Sequence, residues 1–328
     1  MHQTSKRGLF RGVLCGALAL PLAARAEPLP VCDTSVGGGR FLRPDDPASI
    51  PAPPAPVAAR EGFVEVPGGR LWYWDTGGDG QPLVLLHAHT GTAQAWIYQQ
   101  AAFAAAGFRV LAYSRRGAHL SETTPDAAAT PPVDDLRAFL DGLGLERAHL
   151  LGTAAGAFTA ARFAVLHGER VLSLTISCSL IGLREPSYAE MISRVLPASF
   201  QSMPAEFKEL SPSYRAANPE GVARWLAIEA QAASRATTSS PGGSSSMRRS
   251  IEGTEGPTFA DLEALRFPVH LIYGDADLYS PPAFARVLAA HIPGAEMTLI
   301  GETGHSAFWE QPRLFNLAVL EFLSRHRT

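Results

Sequence analysis

The chain has 328 residues, of which 46% are hydrophobic and 18% charged, an ordinary globular composition with enough length for a large core. The formal net charge is −3, and the sequence has no basic run or aromatic–basic patch, which argues against a nucleic-acid partner. No cluster of His and Cys stands at metal-ligand spacing, so we expect no metal ion and no cofactor.

The first 26 residues have the pattern of a signal peptide. Lys6, Arg7 and Arg11 precede an apolar stretch, and residues 24–26 (ARA) fit an A-x-A cleavage site. The apolar stretch is too short to span a membrane. We therefore expect an exported protein, periplasmic or secreted, without a stable membrane anchor. SKRGLF resembles a twin-arginine signal, while the general secretory route stays open.

Residues 27–60 are rich in Pro, Ala and Gly and contain PASIPAPPAP, which predicts an extended segment that buries little. Two cysteines remain outside the leader: Cys32 in this segment and Cys178 at the end of a predicted strand. An oxidising compartment permits a disulfide. Because the two positions belong to different parts of the predicted chain, we expect two independent thiols, with a disulfide as the alternative.

Residues 61–182 predict the first part of an α/β core. GFVEV and RLWYWDTG alternate in polarity around PGG, which indicates a hairpin. Short apolar runs, typical of strands, cover residues 82–88, 109–114, 148–153 and 171–179. Helical patterns lie between them, near residues 93–106, 132–143 and 155–167. Because strands that are apolar on both faces alternate with helices, we predict a mostly parallel sheet with helices on both faces.

An insertion interrupts this pattern over residues 183–257. Its helical pieces lie around residues 187–195, 204–210 and 219–233. The segment RATTSSPGGSSSMRRS follows them, and its low complexity predicts mobility. The core resumes over residues 258–328, with strands at 269–274 and 296–300 and helices at 281–291 and 308–325. Since the insertion follows a strand at the carboxyl end of the sheet, we predict that it forms a helical lid.

Four motifs in chain order carry a resemblance to a known family. They are LLHAHTGTAQAW, AYSRRGAHLSE, GTAAG, and the pair YGDADLYSPP and GETGHSAFWEQP. In this order they resemble the α/β-hydrolase superfamily over nearly all of residues 62–325. The resemblance implies an α/β-hydrolase fold and the chain order nucleophile, acid, histidine.

The resemblance assigns the catalytic positions. Asp277 matches the acid and His305 the catalytic histidine, which the acid orients and stabilises in its protonated form. Ala154 stands where the family has its nucleophilic serine. The backbone N–H groups of His89 and Ala155 are the expected oxyanion-hole donors.

The sequence departs from the family pattern at further positions. Ala88 replaces a glycine, Ser114 an aspartate and His119 a glycine. Thr153 and Cys178 lie near the missing hydroxyl, but neither is a convincing replacement nucleophile. Candidate substrate-binding and pocket-lining residues, for which core packing is the alternative, are His87, Trp96, Met191, Tyr214, Trp225, Phe308 and Trp309.

Three hypotheses remain open. Loss of the nucleophile costs a serine hydrolase on the order of 10⁶ in kcat, so we do not expect ordinary acyl-serine chemistry with Ala154. The first hypothesis is an enzyme in which His305 and Asp277 act as a general base beside an oxyanion hole. It would perform water-mediated hydrolysis, or cofactor-free proton-transfer, lyase or oxygenase chemistry, on a small, partly apolar organic molecule.

The second hypothesis is a ligand-binding protein of the same fold without turnover, and a third is an ordinary esterase in which alanine was substituted for serine. The substrate's identity and the oligomeric state are left open by the sequence.

Overall fold

The computed structural model describes residues 31–36, 39–124, 130–239 and 256–327. The predicted signal peptide and most of the Ser/Gly-rich segment lie outside these residues. Within them, no helix combines the length and the apolar character that a bilayer crossing requires.

Eleven strands among the described residues form one sheet. In chain order they are β1 (Val31–Val36), β2 (Gly39–Leu42), β3 (Arg60–Val66), β4 (Gly69–Asp75), β5 (Pro82–Leu86), β6 (Arg109–Tyr113), β7 (Glu122–Thr123), β8 (Ala148–Thr153), β9 (Val171–Ser177), β10 (Val269–Gly274) and β11 (Glu296–Ile300). Their spatial order is β1-β2-β11-β10-β9-β8-β5-β6-β4-β3, and β7 pairs with β4. Every pair from β2 to β6 along this order is parallel. The pairs at the two ends are antiparallel, including the predicted hairpin of β3 and β4.

The helices of the described part cover both faces of the sheet. They are α1 (Gln100–Ala105), α2 (Pro132–Gly142), α3 (Ala155–Leu166), α4 (Pro186–Val195), α5 (Ala205–Glu209), α6 (Pro212–Ala217), α7 (Pro219–Ser239), α8 (Phe259–Glu263), α9 (Pro282–His291), α10 (Ala307–Glu310) and α11 (Pro312–Arg325). Neighbouring residues of a strand point to opposite faces. In β10, Leu271 joins the main apolar cluster with Phe163 of α3 and Phe284 of α9, while His270 stacks on Phe322 of α11. The predicted fold class is confirmed.

The segment before β3 departs from its prediction. Residues 39–42 form a strand that pairs with β11, and Leu42 is buried. Gln311 fixes the chain further on, because its side chain accepts from the N–H of Asp45 and donates to the Asp45 carbonyl. Within the predicted extended segment, Leu42 and Pro47 are thus buried, while the other residues between 39 and 60 are exposed or half-buried. Four residues that only extend a sheet edge leave a weak sequence signal.

Two predicted helices are divided in the structure. The pattern over residues 93–106 yields a short 3₁₀ turn at Ala93–Ala95 and then α1. The last pattern divides into α10 and α11 at Gln311, whose φ of −129° is not helical. Pro312 explains the second break, because proline disfavours the helical conformation in the residue before it. The insertion contains α4 to α7, and α7 continues beyond the predicted residue 233.

The close approach of α3 to β5 leads to a test of stability. A Cβ atom added to Gly156 would lie 2.0 Å from the carbonyl oxygen of Leu86. We expect Gly156→Ala to lower the free energy of unfolding by about 3 kcal/mol or more, because backbone must move to relieve this overlap. In the control Gly91→Ala, the added Cβ would lie 3.5 Å from the Cβ of Ala95, an ordinary contact. Urea unfolding compares the two, and equal stability would contradict the packing described.

Candidate functional site

The turn between β8 and α3 holds Ala154 in a conformation that is rare for residues with a side chain. Its φ is 48° and its ψ −115°, which costs of order 1–3 kcal/mol. The Ala154 N–H donates to the Ser177 carbonyl at 3.0 Å, and the Ser179 hydroxyl donates to the Ala154 carbonyl at 2.8 Å. Neighbouring strand β9 and the residues after it therefore hold the strained turn in place.

The acid and histidine loops bring His305 and Asp277 together. The Nδ1 atom of His305 lies 2.9 Å from Oδ2 and 3.0 Å from Oδ1 of Asp277, and both side chains are buried. Asp277 also accepts from the N–H of Tyr279 at 2.8 Å and from the hydroxyl of Ser280 at 2.6 Å. Because Nδ1 is engaged, Nε2 is the ring nitrogen that remains for a substrate or a water molecule.

The charges of this pair stabilise each other. Burial alone would lower the pKa of His305, but the carboxylates of Asp277 and Glu209 outweigh it and raise the pKa to about 9. Burial would raise the pKa of Asp277, and the contact with His305 and the hydrogen bonds from Ser280 bring it below its usual value. The contact therefore favours the imidazolium–carboxylate form of the pair, and a rise of pH through about 9 increases the fraction of neutral His305 that can act as a base.

The loop after β5 is the second side of the site. His87 is buried, with Nδ1 2.7 Å from the Ala88 carbonyl oxygen and Nε2 accepting from the Arg115 N–H at 3.1 Å. Burial lowers the pKa of His87 to about 3, so its ring is neutral. The Arg115 guanidinium donates to the carbonyls of Ala88 and His89. His87 thus shapes the loop, and the prediction that it contacts substrate is not supported by its geometry.

The two expected oxyanion-hole donors are free to bind. Among the described residues, neither the N–H of His89 nor that of Ala155 meets a protein acceptor. Ala155 is the first residue of the twelve-residue helix α3, where backbone N–H groups and the helix dipole favour an anion. The His89 side chain is exposed, and the nearby Arg115 and partial desolvation lower its pKa to about 4.

Two buried carboxylates beside the histidine loop were missed by sequence reasoning. Glu310 accepts from the N–H of Ser211 at 2.8 Å and from the N–H of Gly304 at 3.0 Å, and burial raises its pKa to about 7. Glu209, the last residue of α5, is also buried. Glu310 lies inside a quoted motif and could have been found there. AEFKEL, which holds Glu209, resembles an ordinary solvated helix.

A pocket lies between the loop after β5, the histidine loop and α7. Its lining residues are Ala88, Thr90, Gly91, Ala95, Trp225, Ile228, Ser306, Phe308 and Trp309. The volume of this cavity is about 10 Å³, which is room for a single water molecule.

Only some of the predicted lining residues face this pocket. Trp225, Phe308 and Trp309 do so. Trp96 instead packs behind Phe308, with ring centroids 4.8 Å apart, and is buried.

Two other predicted lining residues are engaged elsewhere. Tyr214 is buried beneath α7 against Gly221, where its hydroxyl leaves no space for a Cβ. Met191 packs against the main apolar cluster. Trp96, Tyr214 and Met191 thus agree with core packing, the alternative stated for them, because aromatic and apolar residues carry the same sequence signal in a core as in a pocket.

The other candidate nucleophiles are enclosed. Thr153 is a buried strand residue. Cys178 is a buried free thiol, as expected for independent cysteines, and burial raises its pKa well above its usual value.

His119 packs its ring against Trp72, with the ring centroids 4.3 Å apart. Within the described ranges, no group of three or more His, Cys, Asp or Glu side chains is arranged to hold a metal ion.

Comparisons with known proteins agree with the fold. A model of the alpha/beta hydrolase family matches residues 83–318. A 2-hydroxy-6-oxononadienedioate/2-hydroxy-6-oxononatrienedioate hydrolase of Paraburkholderia phymatum is 30% identical over 289 residues, covering 82% of this chain and 95% of that protein.

Solved structures share the architecture. An esterase from Thermogutta terrifontis gives a TM-score of 0.66 at 24% identity, covering 82% of this chain and 100% of that one. A bromoperoxidase from Bacillus anthracis gives a TM-score of 0.65 at 22% identity, covering 81% and 100%. At these identities the two structures show the fold alone.

Proposed function

Because the chain belongs to the alpha/beta hydrolase family, we propose that it is an enzyme that works through His305 and Asp277 without a serine nucleophile. Ala154 occupies the nucleophile position in this proposal. The substrate is a small, partly apolar organic molecule. The observation that carries the proposal is the buried His305–Asp277 pair, with Nδ1 2.9 Å from Oδ2 and Nε2 left available.

A site of this kind supports proton transfer and anion stabilisation. The N–H groups of His89 and Ala155 would bind an oxygen that becomes negative in the transition state. His305 would transfer a proton at the same centre, as an acid below about pH 9 and as a base above it. Relatives are named as hydrolases, which favours the hydrolytic form of this chemistry, with water in place of the missing hydroxyl.

The insertion serves as a lid in this proposal. Trp225 and Ile228 of α7 cover a pocket that has room for one water only. A substrate of even a few carbon atoms therefore needs a displacement of α7 before it can reach Ala88 and Ser306. Closure over a bound substrate would exclude water except for the reacting molecule, which strengthens the electrostatic interactions within.

Asp277→Asn tests the role of the pair. Two probes are used, 4-nitrophenyl acetate and the 2-hydroxy-6-oxononadienedioate named for the P. phymatum relative. We expect turnover by the parent protein and a loss of about 10²-fold in kcat in Asp277→Asn. Asp277 raises the pKa of His305, so the pH at which activity changes should also move below about 9.

Asp275→Asn is the matched control, because Asp275 lies on the same loop and its carboxylate accepts from the N–H of Thr303. It should leave kcat and the pH profile unchanged. Equal activity of Asp277→Asn and the parent would contradict the proposal. Saturable binding of the probes without any turnover would favour the ligand-binding alternative.

A further inference from the structure

The carboxylate of Glu209 lies between the two loops that form the site. Its Oε1 atom is 3.5 Å from the hydroxyl of Thr90, on the loop after β5, and its Oε2 atom is 3.3 Å from the hydroxyl of Ser306, next to His305. Both hydroxyl-bearing residues line the pocket. Glu209 is only 4% exposed. A carboxylate of the insertion is thus enclosed directly beside two residues that line the pocket.

Main-chain contacts fix this position. The N–H of Ser306 donates to the Glu209 carbonyl at 3.1 Å. Glu310 joins the two segments by accepting from Ser211 and Gly304. A Cβ added to Gly304 would lie 2.9 Å from the Glu209 carbonyl oxygen, so the segments pack backbone to backbone. These contacts therefore fix the backbone that carries the Glu209 side chain.

The groups that face Glu209 come from three elements. They are Lys208 on its own helix, Asp277 and Tyr279 on the acid loop, and His305 and Ser306 on the histidine loop. Burial raises the pKa of Glu209, and His305 and Ser306 oppose that rise in part. Glu209 in turn contributes to the raised pKa of His305, so the two groups share one electrostatic environment. A carboxyl group and an imidazole at one centre can accept and donate a proton.

On the basis of the proposed function, we propose that Glu209 is the second proton-transferring group of this site and works opposite His305. The Glu209 carboxylate acts as the base, the role that the histidine has towards the serine in a serine hydrolase. The His305 imidazolium acts as the acid. With these two roles the site needs no hydroxyl nucleophile, and the carboxylates around His305 stabilise its protonated form.

The step balances for an ester. An O–H bond of water breaks, its proton passes to the Glu209 carboxylate, and its oxygen bonds to the acyl carbon. The bond from the acyl carbon to the leaving oxygen breaks, and that oxygen takes the Nε2 proton of His305. One acid and one alcohol result, and a proton returned from Glu209 to His305 through solvent restores the site.

The experiment measures kcat for 4-nitrophenyl acetate from pH 4 to 10 in the parent protein, Glu209→Gln and Glu209→Asp. The parent should give a bell-shaped profile that rises above the reference pKa of 4.5 and falls through about 9. Glu209→Gln should lower kcat by about 10²-fold and lose the acidic limb. Glu209→Asp keeps the carboxylate and should keep that limb. Glu206→Gln, one turn earlier on α5, should match the parent.

A structural role predicts a different result, because glutamine keeps both contacts: its amide oxygen accepts from one of the two hydroxyls (Thr90 or Ser306), and its amide nitrogen donates to the other. A Glu209→Gln profile with the parent's kcat and both limbs would overturn the inference, as would a parent rate that climbs through pH 9. Absence of turnover by the parent overturns this inference and the proposed function together. If Glu209→Gln matches the parent while Asp277→Asn is impaired, only the inference fails.

An NMR titration of the His305 ring gives a readout without turnover. Glu209 raises the pKa of His305, so Glu209→Gln should titrate His305 at a lower pH than the parent, and Glu206→Gln should not. An unchanged His305 pKa in Glu209→Gln would contradict the charge contact on which the inference rests.

Discussion

Ala154→Ser is expected to convert the protein into a serine esterase with a covalent intermediate. The Cβ of Ala154 already occupies the strained turn, whose φ is 48°, so a hydroxyl can be added without a change of backbone. It would stand at the start of α3, where free N–H groups favour the oxyanion of a tetrahedral intermediate. Since nucleophile removal costs on the order of 10⁶ in kcat in a serine protease, we expect a gain of at least about 10³-fold with 4-nitrophenyl acetate.

The esterase activity of Ala154→Ser should depend on pH in one direction. A serine needs a neutral histidine as its base, and the pKa of His305 is raised to about 9. The rate of Ala154→Ser should therefore rise with pH up to about 9. Stopped-flow absorbance should show a burst of 4-nitrophenol, and intact-protein mass spectrometry should show one added acetyl group.

The double variant Ala154→Ser/His305→Ala is the control and should lose the gain, because no base then activates the hydroxyl. Ala157→Ser adds a hydroxyl to the same helix at a fully buried position and should give no acetyl adduct. A failure of Ala154→Ser to acylate, in a variant that folds, would contradict the placement of Ala154 at the nucleophile position.

His305→Ala is expected to lower the kcat of the parent protein by about 10³–10⁴-fold, which is the upper range for a positioned proton-transfer group. Asp277 and Glu209 would then remain buried without their cation. Because an unpaired buried carboxylate is costly, we expect their pKa values to rise and the variant to lose stability. His305→Gln, which keeps a polar side chain, separates this loss of stability from the loss of chemistry.

A matched control lies far from the pocket. His326 follows α11 and contacts Glu296. His326→Ala should keep the kcat of the parent. Circular dichroism and thermal unfolding establish that each variant is folded before its rates are compared. Equal rates of His305→Ala and the parent would exclude His305 from the chemistry.

Most of the sheet could be predicted from the sequence because its strands are short, apolar on both faces and separated by helices. The predicted bounds of β8, β10 and β11 agree with the structure. Asp277 and His305 were assigned from the resemblance of their motifs to a known family, and the structure joins them at 2.9 Å. The contact forms because they follow β10 and β11, neighbouring parallel strands whose carboxyl ends lie side by side.

The remaining features depend on long-range packing. Glu209 is buried because Ser306 and Gly304, about a hundred residues later, close over it, and no local pattern around AEFKE announces that contact. Tyr214 and Trp225 belong to the same helical insertion, yet only Trp225 faces the pocket. Protonation is a further property of the assembled site, since the pKa of His305 is raised by carboxylates from the acid loop and from α5.

Rapid-quench mass spectrometry of the parent chain during turnover tests the central claim most directly. Samples taken from 4-nitrophenyl acetate hydrolysis are analysed for product and for the mass of the protein, in parallel with His305→Ala. We expect product to form while the parent stays unmodified, and His305→Ala to form about 10³-fold less. An acetylated parent chain, or equal product from His305→Ala, would contradict a serine-free mechanism that works through His305 and Asp277.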